Sequence, residues 1–177
     1  MDSDYALMKS CCECLETIHG VNYRITDGTV LGLYRDGGFI KHDDDFDIDI
    51  LFANIDQIEL IKSKFKNLGF TLGREVYYKS QVQQIVFYLD NGFIFDINFW
   101  HKIDSQIFNY SERGYERVQE FKYFDKNNIE CIKFKDKSYP IPTPIEEWLR
   151  FRFGDDWKVP KTYKGDWKET CLDLIKM

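Results

Sequence analysis

The sequence predicts an α/β (α+β) fold, a mixed β-sheet flanked by helices, in a single domain spanning residues 1–177. Three observations carry that prediction. Two segments repeat apolar residues at helical spacing, one segment alternates apolar and acidic residues strictly, and several aromatic and β-branched runs are separated by turn residues. The 177 residues are enough for one domain with a proper core, and 44% hydrophobic with 17% aromatic content is the composition of a globular chain. The sequence shows no repeat and no low-complexity linker.

The elements follow in chain order. Tyr5, Met8, Cys12, Leu15 and Ile18 keep a roughly helical period and predict a first helix ending near Gly20. Val21–Ile25 reads as a short strand, and Val30–Tyr34 as a helical turn following Asp27-Gly28-Thr29. The segment from Asp45 to Phe52 reads as a strand, and Ile55 to Leu68 as an amphipathic helix closed by Asn67 and Gly69. Strands are expected at Glu75–Tyr78, Ile85–Leu89 and Phe93–Trp100, the last preceded by the turn Asp90-Asn91-Gly92. Phe121–Phe124 and Ile129–Phe134 read as two short strands joined by Asp125-Lys126-Asn127-Asn128 as a hairpin turn. A proline-stiffened segment, Pro140 to Pro144, then leads into a helix that Gly154 stops and Trp157 packs against.

The acidic run Asp43-Asp44-Asp45-Phe46-Asp47-Ile48-Asp49 is the chemical centre of the sequence. Like charges this close repel, and a bound divalent cation is the usual reason to keep them, because hard cations take carboxylate oxygens. In a strand, Asp45, Asp47 and Asp49 share one face while Phe46, Ile48 and Ile50 share the other. An EF-hand loop starting at Asp43 is excluded, since Ile48 and Asn54 stand where its glycine and glutamate belong. A solvated acidic tail does not run into Ile50-Leu51-Phe52. The Asp-x-Asp site of a sugar-nucleotide glycosyltransferase remains open on these residues alone.

A strand, a Gly-Thr at a helix start and an alternating aspartate strand together make the plan of the nucleotidyltransferase fold. Gly28 lets the backbone approach a phosphate, and the Thr29 hydroxyl with the free N–H groups of the helix start can bind one. A third acid is expected on a neighbouring strand. Asp96, inside Phe93-Ile94-Phe95-Asp96-Ile97-Asn98-Phe99-Trp100, is costly among apolar residues unless it is satisfied. Asn98 shares its face.

The segment from Asp27 to Ile48 resembles the core motif of the LicD family, which includes bacterial phosphocholine transferases and, more distantly, fukutin and fukutin-related proteins. The matching residues are Gly28, Gly32, Arg35, Gly38-Phe39-Ile40 and the acidic run, all in register. Lys41 stands where the family usually has Pro, His42 where it has Trp, and Asp49 where a small residue is commoner. A weaker likeness covers Pro140-Ile141-Pro142, the following helix and Phe153-Gly154-Asp155-Asp156-Trp157.

The resemblance implies transfer of a phospho-alcohol group from a CDP-activated donor to a sugar or glycan hydroxyl. It implies Mg²⁺ (or Mn²⁺) held by Asp45 and Asp47. Asp96 then either accepts the hydroxyl proton or completes a second metal site. Gly28, Thr29, Arg35, Lys41 and His42 would meet the donor phosphates, with Asp43 an accessory acid and Asp44 and Asp49 structural. Arg150, Arg152 and Trp157 are expected to serve packing and surface charge. His101, at a strand end, is expected to be solvated.

A net charge of −6 and a pI near 5.1 argue against a nucleic-acid partner. An acidic N-terminus with no long apolar run predicts no signal peptide and no membrane span, hence a cytoplasmic protein. Cys11, Cys12 and Cys14 do not have zinc-site spacing and read as buried or half-buried thiols. Two other functions keep the same residues in play: an ATP- or CTP-dependent nucleotidyltransferase acting on a small molecule or protein, and a non-catalytic metal- or nucleotide-binding module.

Overall fold

The computed structural model describes residues 2–41, 43–111, 114–161 and 172–176. Along them run α1 (Asp2–Glu16), β1 (Asn22–Ile25), α2 (Asp27–Arg35), β2 (Asp45–Leu51), α3 (Ile55–Asn67), β3 (Thr71–Tyr78) and β4 (Gln81–Tyr88). They continue with β5 (Ile94–Ile103), β6 (Gln106–Ser111), β7 (Tyr115–Glu120), β8 (Glu130–Phe134), β9 (Lys137–Ile141), α4 (Ile145–Phe153) and β10 (Leu174–Lys176).

Strand β5 organises the sheet. Its first half lies between β2, which it pairs in parallel, and β4, which it pairs antiparallel. Its last residues, His101–Ile103, leave those neighbours and pair with β6. One sheet therefore runs from β1 and β2 across β5 to β6, β7 and β10, with β4 and β3 on a branch. Strands β8 and β9 form a separate two-stranded ribbon.

Alternation decides which side of the central strands is dry. Phe46, Ile48 and Ile50 of β2 align with Phe95, Ile97 and Phe99 of β5, and all six are buried. Ile85 and Phe87 extend that surface on β4. Phe65 of α3 closes it, with its ring 4.7 Å from Phe87 and 5.1 Å from Phe95. Helix α3 starts at a capping box in which Asn54 and Gln57 exchange two bonds of 2.9 Å, satisfying two donors at the helix start.

Three sequence expectations change. Phe121–Phe124 is a 3₁₀ turn and not a strand, with Tyr123 and Phe124 both buried. The hairpin partner of β8 is β9, reached through Lys135 in the left-handed region (φ 54°). Strands β6, β7 and β10 were not foreseen, since Asn109, Arg117 and Gln119 are buried polar residues that erase the apolar signal.

Cys11 and Cys12 are buried thiols and Cys14 is half-buried, as their spacing suggested; burial pushes the Cys12 thiol up to about 12. Among the described residues, no helix is long and apolar enough to cross a membrane. Phe65→Ala should remove the cover of the β4–β5 surface and cost about 3–5 kcal/mol, read as a lower urea midpoint with unchanged slope.

Candidate active site

The parallel pairing of β2 and β5 sets Asp47 opposite Asp96 and Asp49 opposite Asn98. Asp45, Asp47 and Asp96 are half-buried, and each offers a carboxylate oxygen within 4.8 Å of the others. Asp49, deeper on the same face, is fully buried and accepts a 3.2 Å bond from Asn98 Nδ2.

The electrostatics follow from that crowding. Burial, and then the charges of Asp45, Asp27 and Asp96, hold the Asp47 carboxyl well above the usual carboxylate range. Burial and Asp43 push Asp45 up to about 7. Burial and Asp45 push Asp96 up to about 7, against the opposing pull of Arg74. Asp49 rises to about 7, chiefly through burial and Asp27.

These residues fit a hard divalent cation. The Oδ1 atom of Asp96 is buried with no hydrogen-bond partner among the described residues, while its Oδ2 accepts from Gln84 Nε2 at 3.2 Å. A cation at the three carboxylates would satisfy that oxygen and remove the repulsion together.

The start of α2 is bolted to the acid strand. Asp47 N donates to Thr29 Oγ1 at 2.8 Å, and Thr26 N donates to Asp47 O at 3.1 Å. At Gly28 the Asp43 carboxylate occupies the place of a Cβ, so any side chain there would have to displace it. At Gly32 a Cβ would meet Gly38 O at 2.7 Å and Ile40 Cγ1 at 2.9 Å, so glycine there lets the loop after α2 fold back closely on the helix. That loop carries Phe39 onto Phe46, with ring centres 4.7 Å apart. Gly28, Thr29, Phe39, Asp43, Asp45 and Phe93 line a cavity of about 220 Å³ beside the acids.

The structure thus gathers Asp45, Asp47, Asp96, Asp43, Gly28 and Thr29. Asp44 is exposed at the same cavity, and its carbonyl accepts from Ile94 N at 3.4 Å. Lys41 is exposed on the loop leading to Asp43, and His42 lies outside the described residues. Arg35 is engaged elsewhere: its guanidinium holds Asp36 through bonds of 2.8 and 2.7 Å and donates to Trp157 O at 3.3 Å. The His101 ring is half-buried and lies 3.2 Å from Gln83 Nε2, so it is not simply solvated. Burial lowers its pKa.

Sequence reasoning missed a buried charge cluster behind the site. Arg117 grips both oxygens of Asp27 at 3.1 Å, and Arg152 Nε donates to Asp27 Oδ1 at 2.6 Å. Asp173 completes the cluster, accepting from Arg117 Nε at 3.0 Å and from Gln119 Nε2 at 2.9 Å. Burial alone would raise the Asp27 carboxyl; the two arginines override it and hold it at about 2. Asp27 adopts φ 45°, a left-handed conformation uncommon for a side-chain-bearing residue, at the start of α2. Arg152 is therefore an internal partner and not surface charge. The one available signal was Asp27 itself, an acid beside the Gly-Thr pair.

Comparison with known proteins bears on this geometry. A family model described as the LicD/FKTN/FKRP nucleotidyltransferase domain matches residues 20–144. The ribitol-5-phosphate transferase FKTN of Mus musculus is 26% identical over 153 residues, 85% of this chain and 32% of that protein. The uncharacterized protein RP689 of Rickettsia prowazekii is 39% identical over 71 residues, 40% of this chain and 26% of that protein. The chain thus spans about a third or less of the length of these relatives. Among solved structures, the lincomycin-bound lincosamide antibiotic adenylyltransferase LnuA superposes with a TM-score of 0.55 at 15% identity, covering 84% of each chain. That likeness is one of fold, and it agrees with the mixed sheet and its flanking helices.

Two outcomes test the site's electrostatics. Asp45 and Asp96 titrate near 7 when folded but near 3.9 when unfolded. The folded state therefore keeps protons that the unfolded chain releases, and this contribution is present below about pH 4 and lost as pH rises through about 7. Metal-free protein should melt at lower temperature at pH 8 than at pH 5, and Mg²⁺ or Mn²⁺ should raise the melting temperature more at pH 8, where the ligands are ionised. Separately, Arg117→Met should cost about 3–5 kcal/mol in urea denaturation by stranding Asp27 and Asp173, and adding Asp27→Asn should recover part of the loss.

Proposed function

Because the chain belongs to the LicD family of nucleotidyltransferase domains, we propose that it is a metal-dependent transferase of phospho-alcohol groups. The donor is a CDP-activated alcohol and the acceptor a sugar or glycan hydroxyl. The observation that carries this reading is the set of three carboxylates on paired strands β2 and β5, with one buried oxygen unpaired and a cavity alongside. The activity named for FKTN, ribitol-5-phosphate transfer, supports an alditol phosphate as the group moved.

In this reading Asp45, Asp47 and Asp96 hold Mg²⁺ (or Mn²⁺). The ion, when bound, offsets the charge that builds on the leaving nucleotide phosphate. Thr29 accepts the Asp47 N–H with its oxygen, so its own proton is left to donate to a phosphate at the α2 start. Lys41, exposed on the loop leading to Asp43, is assigned to the same donor phosphates, as is His42. Gly28 keeps the wall beside Asp43 free of side-chain atoms. Where the ion is held by Asp45 and Asp47 alone, Asp96, opposite Asp47 on the paired strand, is placed to take the proton of the attacking hydroxyl. The chain's negative charge and acid-lined cavity favour a neutral acceptor over a nucleic acid. A cytoplasmic site of action is part of the proposal.

The shared fold with an adenylyltransferase favours one second reading, nucleotide transfer from ATP or CTP. Phosphorus NMR with Mg²⁺ and, in turn, CDP-ribitol, CDP-glycerol, CDP-choline, CTP and ATP separates the two. Release of CMP from a CDP-alcohol is expected; pyrophosphate from ATP or CTP would establish the second reading. Binding without turnover across varied acceptors would leave a non-catalytic module. Asp47→Asn should reduce CMP release about 10³-fold, the equivalent of losing roughly 4 kcal/mol of metal-dependent stabilisation.

A further inference from the structure

Arg35 is tied to Asp36 and Trp157, whereas Arg74 is linked to Asp96 through a single amide. We propose that Arg74 of β3 is the residue that grips the phosphate oxygens of the nucleotide donor. The inference rests on the transferase reading above and names a binding residue within that same site.

Strand register places it. Arg74 pairs with Val86 on β4, Val86 with Asp96 on β5, and Asp96 with Asp47 on β2. Directly paired residues share a face, so Arg74, Val86, Asp96 and Asp47 form one row across four strands. Two strand spacings, roughly 10 Å, separate the Arg74 and Asp96 backbones. A long arginine stem crossing a single valine suits that separation.

A β-bulge is what turns Arg74 to this side. Leu72 pairs with Phe87, whose side chain belongs to the core face, and the next pair is Arg74 with Val86 on the acid face. Gly73 is the extra residue between them. In a regular register Gly73 would oppose Val86 and Arg74 would follow Leu72 to the core face, because alternation has a period of two. An added Cβ at Gly73 would overlap the ring of Tyr88, which would have to turn aside. The effect of the irregularity is to place one cation in the row of the acids.

Arg74 is also connected to them. Its Nη2 donates to Gln84 Oε1 at 2.8 Å, and Gln84 Nε2 donates to Asp96 Oδ2 at 3.2 Å. The amide thus orients the guanidinium and the carboxylate at once. The Arg74 side is solvent-exposed, whereas Gln84 is half-buried, so an incoming anion reaches the arginine from the open side of the sheet. A planar fork that delivers two parallel N–H groups suits phosphate oxygens, and its charge opposes the carboxylates that would otherwise repel a diphosphate.

Calorimetric titration of the full chain with CDP and with inorganic pyrophosphate, both in Mg²⁺, tests this alongside CMP-release kinetics. Arg74→Gln should weaken both ligands at least tenfold and raise KM for the CDP-alcohol by a similar factor, with little change in kcat and an unchanged melting temperature. Arg74→Lys should recover part of the affinity, as a point charge without the fork. Unchanged affinity in Arg74→Gln, or a loss confined to kcat, would overturn the proposal, as would failure of the unmodified chain to bind either ligand. If no CDP-alcohol is turned over yet Arg74→Gln still weakens pyrophosphate, the transferase reading fails and the anion-binding role of Arg74 stands.

Discussion

Holding ionised carboxylates side by side is the constraint on which the rest of this structure depends. Two such charges 4.8 Å apart repel by roughly 3–4 kcal/mol at an effective dielectric of about 20. The same two strands supply the compensation from their other face. Six side chains, Phe46, Ile48, Ile50, Phe95, Ile97 and Phe99, are buried there, each contributing about 1.5–3 kcal/mol. Apolar burial on one side thus works against repulsion on the other face of the same two strands. Partial protonation, which the raised pKa values describe, lowers the repulsion further in the absence of a cation.

The site also needs a fixed wall, and charge neutrality provides it. Asp27 and Asp173 are balanced by Arg117 and Arg152, two acids against two bases in a buried setting. Such a cluster repays its desolvation only when its hydrogen bonds are well made, and the paired grip of Arg117 on Asp27 meets that condition. Through Asp27 it fixes the start of α2, and through Thr26 and Thr29 that start fixes the backbone of Asp47. The C-terminal strands thereby support the acids without touching them.

What could be read in advance divides along a physical line. Asp45, Asp47 and Asp96 were legible because an acid that alternates with Ile and Phe has no cheap explanation. Helices α1 and α3 and the acid strands were legible for the same reason, a periodic apolar face. Strands β6 and β7 were not, since their buried Asn109, Arg117 and Gln119 look like surface residues until their partners are known. Arg35 and Arg74 show the same limit at one residue's scale. The motif points to the first, but a bulge at Gly73 and the packing of Tyr88 are tertiary facts that orient the second.

The pairing of Asp27 with Arg152 spans 125 residues of chain. At a synthesis rate of about 5–20 residues per second, the acid leaves the ribosome roughly 6–25 s before its base. For that interval the motif and its acid strand exist without the cations that neutralise the helix start. The native site is thus assembled only once Arg152 has been made. The surplus of aspartate in this earlier segment suits a chain that waits for its bases, since like charges that strain the finished site also keep unfinished copies apart.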